Sequence, residues 1–422
     1  MGWDRGGADT RDGTKPTHPS HGNPALTTCP KPSQALTPSV TLAMAAAAGA
    51  TAANGWYNQP MLGAMARNLG ISEQSVAAIP TATQLGFALG IFLLLPLGDR
   101  LDRRRLIVWQ LVGTAAALAM AALSSNLVLL TLASVLVGIG GSTAQQVIPF
   151  AAELASPETR GRAVGMVMSG LLSGVLLARV VSGAVADQFG WRAMYWLAAA
   201  AALVMAFGIR LVLPKSQPAT RASYGELLIS LLELTRRFPE LRRAALIQGC
   251  VFATISAFWS VLALLLEGPT FRLGATAAGL FGLVGVAGIM AAPLAGRFAD
   301  RRGPYGVLGP SLGLVAASFV LFAAWPTVPG LIIGVVLVDL GAQASMVSNQ
   351  SIIYGLAPEA RGRITTIYMT VMFLIGAMGS AAAGAAWAIG GGGLNGWRAV
   401  CALCLVLAVI AWLIHVRRRT AS

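Results

Sequence analysis

Apolar residues run along this chain in long blocks, each closed by a short polar loop. A helix needs about 20 apolar residues to cross the hydrocarbon of a bilayer. Twelve blocks reach that length: 37–62, 74–97, 106–124, 127–152, 163–185, 191–213, 244–267, 276–297, 305–324, 328–354, 364–389 and 397–416. Only a helix or a closed barrel satisfies its own backbone in lipid, and blocks of this length predict helices. The pattern therefore predicts an all-α integral membrane protein.

Two polar signatures recur between the blocks. Asp99-Arg100 returns as Asp300-Arg301, and Pro157-Glu158-Thr159-Arg160-Gly161-Arg162 returns as Pro358-Glu359-Ala360-Arg361-Gly362-Arg363, both 201 residues on. One offset shared by two unrelated motifs predicts a duplication: a six-helix half over 37–213 and a pseudo-symmetric second over 244–416, with a linker at 214–243. A third echo, Gly190-Trp191-Arg192 and Gly396-Trp397-Arg398, precedes the last block of each half. Within the linker, Tyr224 to Arg237 has helical apolar spacing, which predicts a helix along the membrane surface.

Composition agrees, with 56% hydrophobic and only 11% charged residues, against about 25% charged in soluble domains. A net charge of +14 would suit nucleic acid, but the arginines gather in loops on one side of the blocks. Twenty Lys and Arg lie on that side and four (Arg67, Arg192, Arg272 and Arg398) on the other. The positive-inside rule makes the basic side cytoplasmic, with both termini there and no nucleic-acid partner. Residues 1–36, rich in Pro, Gly, Thr and His, read as a disordered cytoplasmic tail, and 417–422 as a second short one. Cys401 and Cys404 share a helical face but have no other soft ligand nearby, so they read as buried structural thiols.

Twelve spans in two halves, with a Gly/Asp-Arg/basic loop after helix 2 and again after helix 8, resemble the major facilitator superfamily. Trp56-Tyr57-Asn58-Gln59-Pro60, the glycine-rich stretch Gly174 to Gly183, and Asp339-Leu340-Gly341-Ala342-Gln343 further resemble bacterial drug:proton antiporters and sugar-efflux (arabinose-efflux-like) permeases. The resemblance implies the major facilitator fold in a bacterial inner (plasma) membrane, and a cavity lined by helices 1, 4, 7 and 10. It also implies a cytoplasmic gate, with Asp99 meeting the start of helix 11 near Arg363 and Ile364, and Asp300 the start of helix 5 near Arg162. Arg100, Arg103, Arg160, Arg301 and Arg361 complete that gate. The chain departs from the pattern in three places. Leu95 and Asp102 stand where the loop signature has its two glycines, and Ser134 where many proton-driven relatives carry a helix 4 arginine.

Two ionisable residues lie well inside the spans, Arg179 in helix 5 and Asp339 in helix 10. Charges at such depth are costly and mark pathways or partners. Asp339 sits about ten residues into its helix, roughly 15 Å deep, where a carboxylate suits proton uptake and release or a fixed ion pair. Arg179 has three readings: a partner for Asp339, a contact for an anionic substrate group, or a side chain snorkelling to the surface. Uncharged polar residues gather on the cavity helices: Asn58 and Gln59, Gln145 and Gln146, Gln248, and Gln343 with Asn349. Each can line a cavity or bridge two helices. Trp56, Tyr57, Phe258 and Trp259 could stack an aromatic or cationic ligand, and anchoring at the outer interface accounts equally for Trp56 and Tyr57.

The leading expectation is a secondary active transporter, a proton-coupled exporter of a small drug, sugar or metabolite working by alternating access. An uptake symporter or facilitator is the alternative, and a non-transporting sensor a more distant one. Enzyme activity is not expected, because no paired carboxylates or metal-ligand cluster falls within the spans and no phosphate-cradling loop occurs. No cofactor and no metal are expected; the partners are the substrate, protons and the bilayer, and the protein is expected to be a monomer.

Overall fold

The computed structural model describes residues 37–156, 158–216, 220, 223–285, 301, 303–357 and 360–417. Helices α1 (Pro38–Ala53), α2 (Asn58–Leu69), α3 (Glu73–Val76), α4 (Ala78–Arg100), α5 (Arg103–Leu123), α6 (Leu127–Gly141), α7 (Ala144–Leu154), α8 (Arg160–Phe189) and α9 (Trp191–Val212) make the first half. Helix α10 (Tyr224–Arg237) lies between the halves in sequence. The second half holds α11 (Pro239–Glu267), α12 (Ala275–Val284), α13 (Pro304–Ala324), α14 (Val328–Tyr354), α15 (Arg361–Ile389) and α16 (Gly393–Val416). Ten helical stretches among the described residues are long and apolar enough to cross a membrane. No strand occurs among the described residues.

The first and fourth blocks are each interrupted. Between α1 and α2 the amides of Asn54, Gly55 and Trp56 bond three residues back, to Thr51, Ala52 and Ala53. That tightening ends α1 and turns Trp56 aside. Between α6 and α7, Thr143 N bonds to Gly140 O in the same way. Their counterparts in the second half, α11 and α14, run unbroken. Discontinuous helices in a bundle interior leave backbone and side chains free to meet a ligand.

Small residues bring the helices close. In the α1–α8 crossing, a methyl group at Gly49 would lie 2.6 Å from Gly170 O, and ones at Gly170 and Gly174 would strike the α1 backbone at Ala45 and Gly49. Leu95, at the missing loop glycine, is half-buried. One turn on, Gly98 makes the close approach instead, with Gln146 Oε1 2.8 Å from where a Cβ would stand.

The halves meet along α4 and α15, where Phe87, Ala88 and Ile91 pack against Ile364, Ile367, Met372 and Phe373. Helix α10 covers this seam with Leu231 and Leu234 and leaves Ile229 and Leu232 exposed. Its start is fixed by a capping box: Glu226 N donates to Ser223 Oγ at 3.2 Å and Ser223 N to Glu226 Oε2 at 2.7 Å. Helix α11 is enclosed along almost its whole length, which makes it the axis on which the second half is built. Cys401 and Cys404 are buried, and Cys404 lies 3.7 Å from Thr254 O of α11.

The α1–α8 contact yields a stability prediction. Gly174→Val should cost about 1–3 kcal/mol through overpacking, read as a lower thermal unfolding midpoint in detergent. Gly165→Ala, where a Cβ meets nothing within 4 Å, should leave that midpoint unchanged or raise it.

Candidate functional site

Arg179 projects from α8 into the middle of the bundle. It is only 6% exposed, so the snorkelling reading fails. Its guanidinium sits 4.0 Å from the Trp259 ring of α11 and 4.8 Å from the ring of Trp56 at the α1–α2 break. Nε donates to Gln59 Oε1 at 3.0 Å, and neither Nη has a hydrogen-bond partner among the described residues. Each cation–π contact of a desolvated guanidinium is worth about 2 kcal/mol. Two rings and one amide thus replace the water that the charge has lost.

Asp339 of α14 lies across a glycine face of α12. A methyl group at Gly282 would lie 3.1 Å from Arg179 Cβ, and one at Gly285 would lie 2.7 Å from Asp339 Oδ2. Both charged side chains therefore press on α12 at positions one turn apart. Each acts electrostatically on the other, but no direct ion pair joins them among the described residues. The geometry brings one carboxylate and one guanidinium from opposite halves within mutual influence and leaves them unlocked.

The uncharged candidates divide into local networks. Asn58 Nδ2 donates to Thr83 Oγ1 at 2.9 Å. Gln146 Nε2 donates to Leu94 O at 2.9 Å. In the second half, Ser345 Oγ donates to Gln248 Oε1 at 2.9 Å, and Asn349 Nδ2 reaches the same oxygen at 3.4 Å. Gln145 and Gln343 are half-buried. Phe258, expected in the cavity, is instead packed within the second half, stacked 4.8 Å from Phe322 and edge-on to Trp397 at 5.7 Å. It backs Trp259 at 5.3 Å and does not face the arginine, because only one of two adjacent helical positions can point at α8.

At the arginine-rich end, Asp99 does not reach the free amides at the start of α15. Its carboxylate accepts from Arg103 Nη2 at 2.7 Å, and Arg103 Nε lies 3.3 Å from Glu153. An arginine four residues away on the same stretch outcompetes a distant helix end. Arg363 acts on Asp99 only through space. Arg361 Nε donates to Tyr354 O at 3.2 Å, while Arg100, Arg160 and Arg301 are exposed. Asp300 lies outside the described residues.

The opposite end is closed by three acids that sequence reading missed. Glu267, the last residue of α11, pairs with Arg67 of α2. Glu73 Oε2 accepts from Trp387 Nε1 at 2.8 Å. Asp187 caps α12, accepting from the amides of Ala275 and Thr276 at 3.2 and 2.8 Å and from Thr276 Oγ1 at 2.6 Å. All three contacts join one half to the other. The available signal was a lone acid at the end of each of these helices, on the side poor in arginine.

The chain matches the family model described as Major Facilitator Superfamily over residues 44–380 and 244–422. Uncharacterized transporter YgaY of Escherichia coli O157:H7 is 38% identical over 387 residues, covering 91% of this chain and 96% of that protein. The chloramphenicol resistance protein of Streptomyces lividans is 26% identical over 325 residues, covering 74% and 80%. Among solved structures, the inward-facing, unoccupied bacterial homolog of the human lysosomal transporter Spinster superposes with a TM-score of 0.75 at 16% identity, covering 89% and 95%.

A double-mutant cycle tests how Arg179 is held. Gln59→Leu removes the acceptor of a charged hydrogen bond and should cost about 1.5–3 kcal/mol. The same substitution in an Arg179→Met background should cost less than half as much, read by thermal unfolding in detergent.

Proposed function

The chain belongs to the major facilitator superfamily, and from that premise we propose that this transporter exports a small organic molecule in exchange for protons. The observation that carries the proposal is the pairing of Asp339 with Arg179 across one glycine face of α12, with no ion pair to lock them. A charged Asp339 is attracted to Arg179 and holds α14 towards α8. A protonated Asp339 loses that attraction, so a proton changes how the two halves are held together. Exchange requires that substrate and proton not be carried together, and a carboxylate that accepts hydrogen bonds from a substrate when charged meets that requirement.

The direction rests on likeness to the Streptomyces lividans chloramphenicol resistance protein. The arginine-rich end is then cytoplasmic and the end closed by Arg67–Glu267, Glu73–Trp387 and Asp187–Thr276 is external. The protein works as a monomer in the bacterial inner membrane, without a cofactor. Uptake symport or facilitation is the second reading, favoured by Ser134, whose Oγ donates to Leu130 O at 2.7 Å where an arginine would otherwise stand.

Purified protein in liposomes with an imposed pH gradient and an enclosed pH-sensitive dye tests the proposal. A panel of drugs, sugars and amino acids should include molecules that evoke proton movement. In Asp339→Asn that movement should fall at least tenfold, while substrate–substrate exchange persists. Undiminished proton movement in the variant would remove Asp339 as the carrier, and substrate flux independent of pH would favour the facilitator.

A further inference from the structure

Beside the charged pair lies an aromatic cluster that starts from Trp56. Trp56 and Phe252 meet T-shaped at 6.2 Å, Phe252 and Phe373 at 5.1 Å, and Phe87 stacks on Phe373 at 5.0 Å. Trp56 and Phe87 come from the first half, Phe252 and Phe373 from the second. Trp56 and Phe252 stay half-buried in the middle of the interface between the halves, so their rings are not fully used by protein contacts.

Two amides, Gln84 beside Phe252 at Gly376 and Asn58 two residues beyond Trp56 in the chain, each have one hydrogen-bonding atom left over. Gln84 is 3% exposed; its Oε1 accepts from Ser256 Oγ at 3.0 Å, while Nε2 has no partner. Asn58 is 2% exposed; its Nδ2 is bound to Thr83, while Oδ1 has no partner. A buried polar atom without a partner costs about 1–3 kcal/mol, so such atoms call for a function. Gln84 and Phe252 converge on a residue without a side chain: a Cβ at Gly376 would lie 2.7 Å from Gln84 Oε1 and 2.5 Å from Phe252 Cδ1.

We propose that the aromatic cluster of Trp56, Phe87, Phe252 and Phe373, with Gln84 and Asn58, binds an uncharged ring-bearing amphiphile. The ring packs on the aromatic side chains. Gln84 Nε2 donates to an acceptor on the ligand, and Asn58 Oδ1 accepts from a donor. The absence of net charge follows from the surroundings. Apart from the Arg179 guanidinium over Trp56, the polar groups around the cluster are carboxamides and hydroxyls. Arg179, beside Trp56, repels a cation, and an anion would meet the field of Asp339, which acts on the same arginine. Because the rings come from both halves, a bound ligand bridges them, as an alternating-access carrier requires.

This substrate class rests on the export reading, and equilibrium binding separates the two. Protein in lipid nanodiscs at neutral pH, with no gradient, is titrated with chloramphenicol (uncharged), tetraphenylphosphonium (cationic) and 2-naphthoate (anionic), followed by calorimetry. Chloramphenicol should bind tightest. Gln84→Leu should weaken it at least tenfold, and the near-isosteric Gln84→Glu should shift preference towards tetraphenylphosphonium. Thermal unfolding identifies any variant that fails to fold, and Gln84→Glu keeps the test open if Gln84→Leu does. Tighter binding of either ion, no binding of chloramphenicol, or unchanged binding in both folded variants would overturn the subsite. Binding as expected without proton movement in liposomes would leave the subsite standing and remove the export reading.

Discussion

A guanidinium in the middle of a membrane bundle has to be solvated by protein, and the way Arg179 is solvated organises the centre of this molecule. Trp56 and Gln59 reach it from the first half and Trp259 from the second, while Asp339 acts on it from α14. No single helix can supply these groups. The break between α1 and α2 presents Trp56, the glycine face of α12 lets Arg179 and Asp339 approach, and the enclosure of α11 fixes Trp259. Losing any one of them leaves a buried charge short of partners, a far larger penalty than losing an exposed ion pair.

The two ends of the bundle are built differently around that centre. At the arginine-rich end, Asp99 is satisfied by its own half through Arg103. At the other end, the partners of Glu267, Glu73 and Asp187 among the described residues come from the opposite half. Contacts internal to a half survive a rocking motion, whereas contacts between halves must break in one. Among the described residues, the bonds that close the arginine-poor end fall to residues outside the duplicated loop motifs.

The interruption of helices is asymmetric too. Spans 1 and 4 are broken while their counterparts α11 and α14 are continuous. The buried polar atoms that lack partners among the described residues follow no such divide: Asn58 Oδ1, Gln84 Nε2, Gln146 Oε1 and both side-chain atoms of Gln110 lie in the first half, and Glu267 Oε1, Asn349 Oδ1, Tyr368 Oη and Thr370 Oγ1 in the second. A duplicated frame has kept its packing while each copy took on its own chemistry.

Much of this was legible in the chain itself. Long apolar blocks are a local property, so helix positions and the unusual depth of Arg179 and Asp339 could be read without a fold. Which of two neighbouring aromatics would meet Arg179 could not, since Phe258 and Trp259 differ by one position and the answer depends on the rotation of α11 against α8. The same holds for Arg67 with Glu267 and Asp187 with Thr276, partners 200 and 89 residues apart. Among the described residues, sequence alone determined the spans and the two charges within them, because burial in lipid acts residue by residue. Tertiary structure alone decided which side chains satisfy those charges, because that depends on how helices from the two halves face one another.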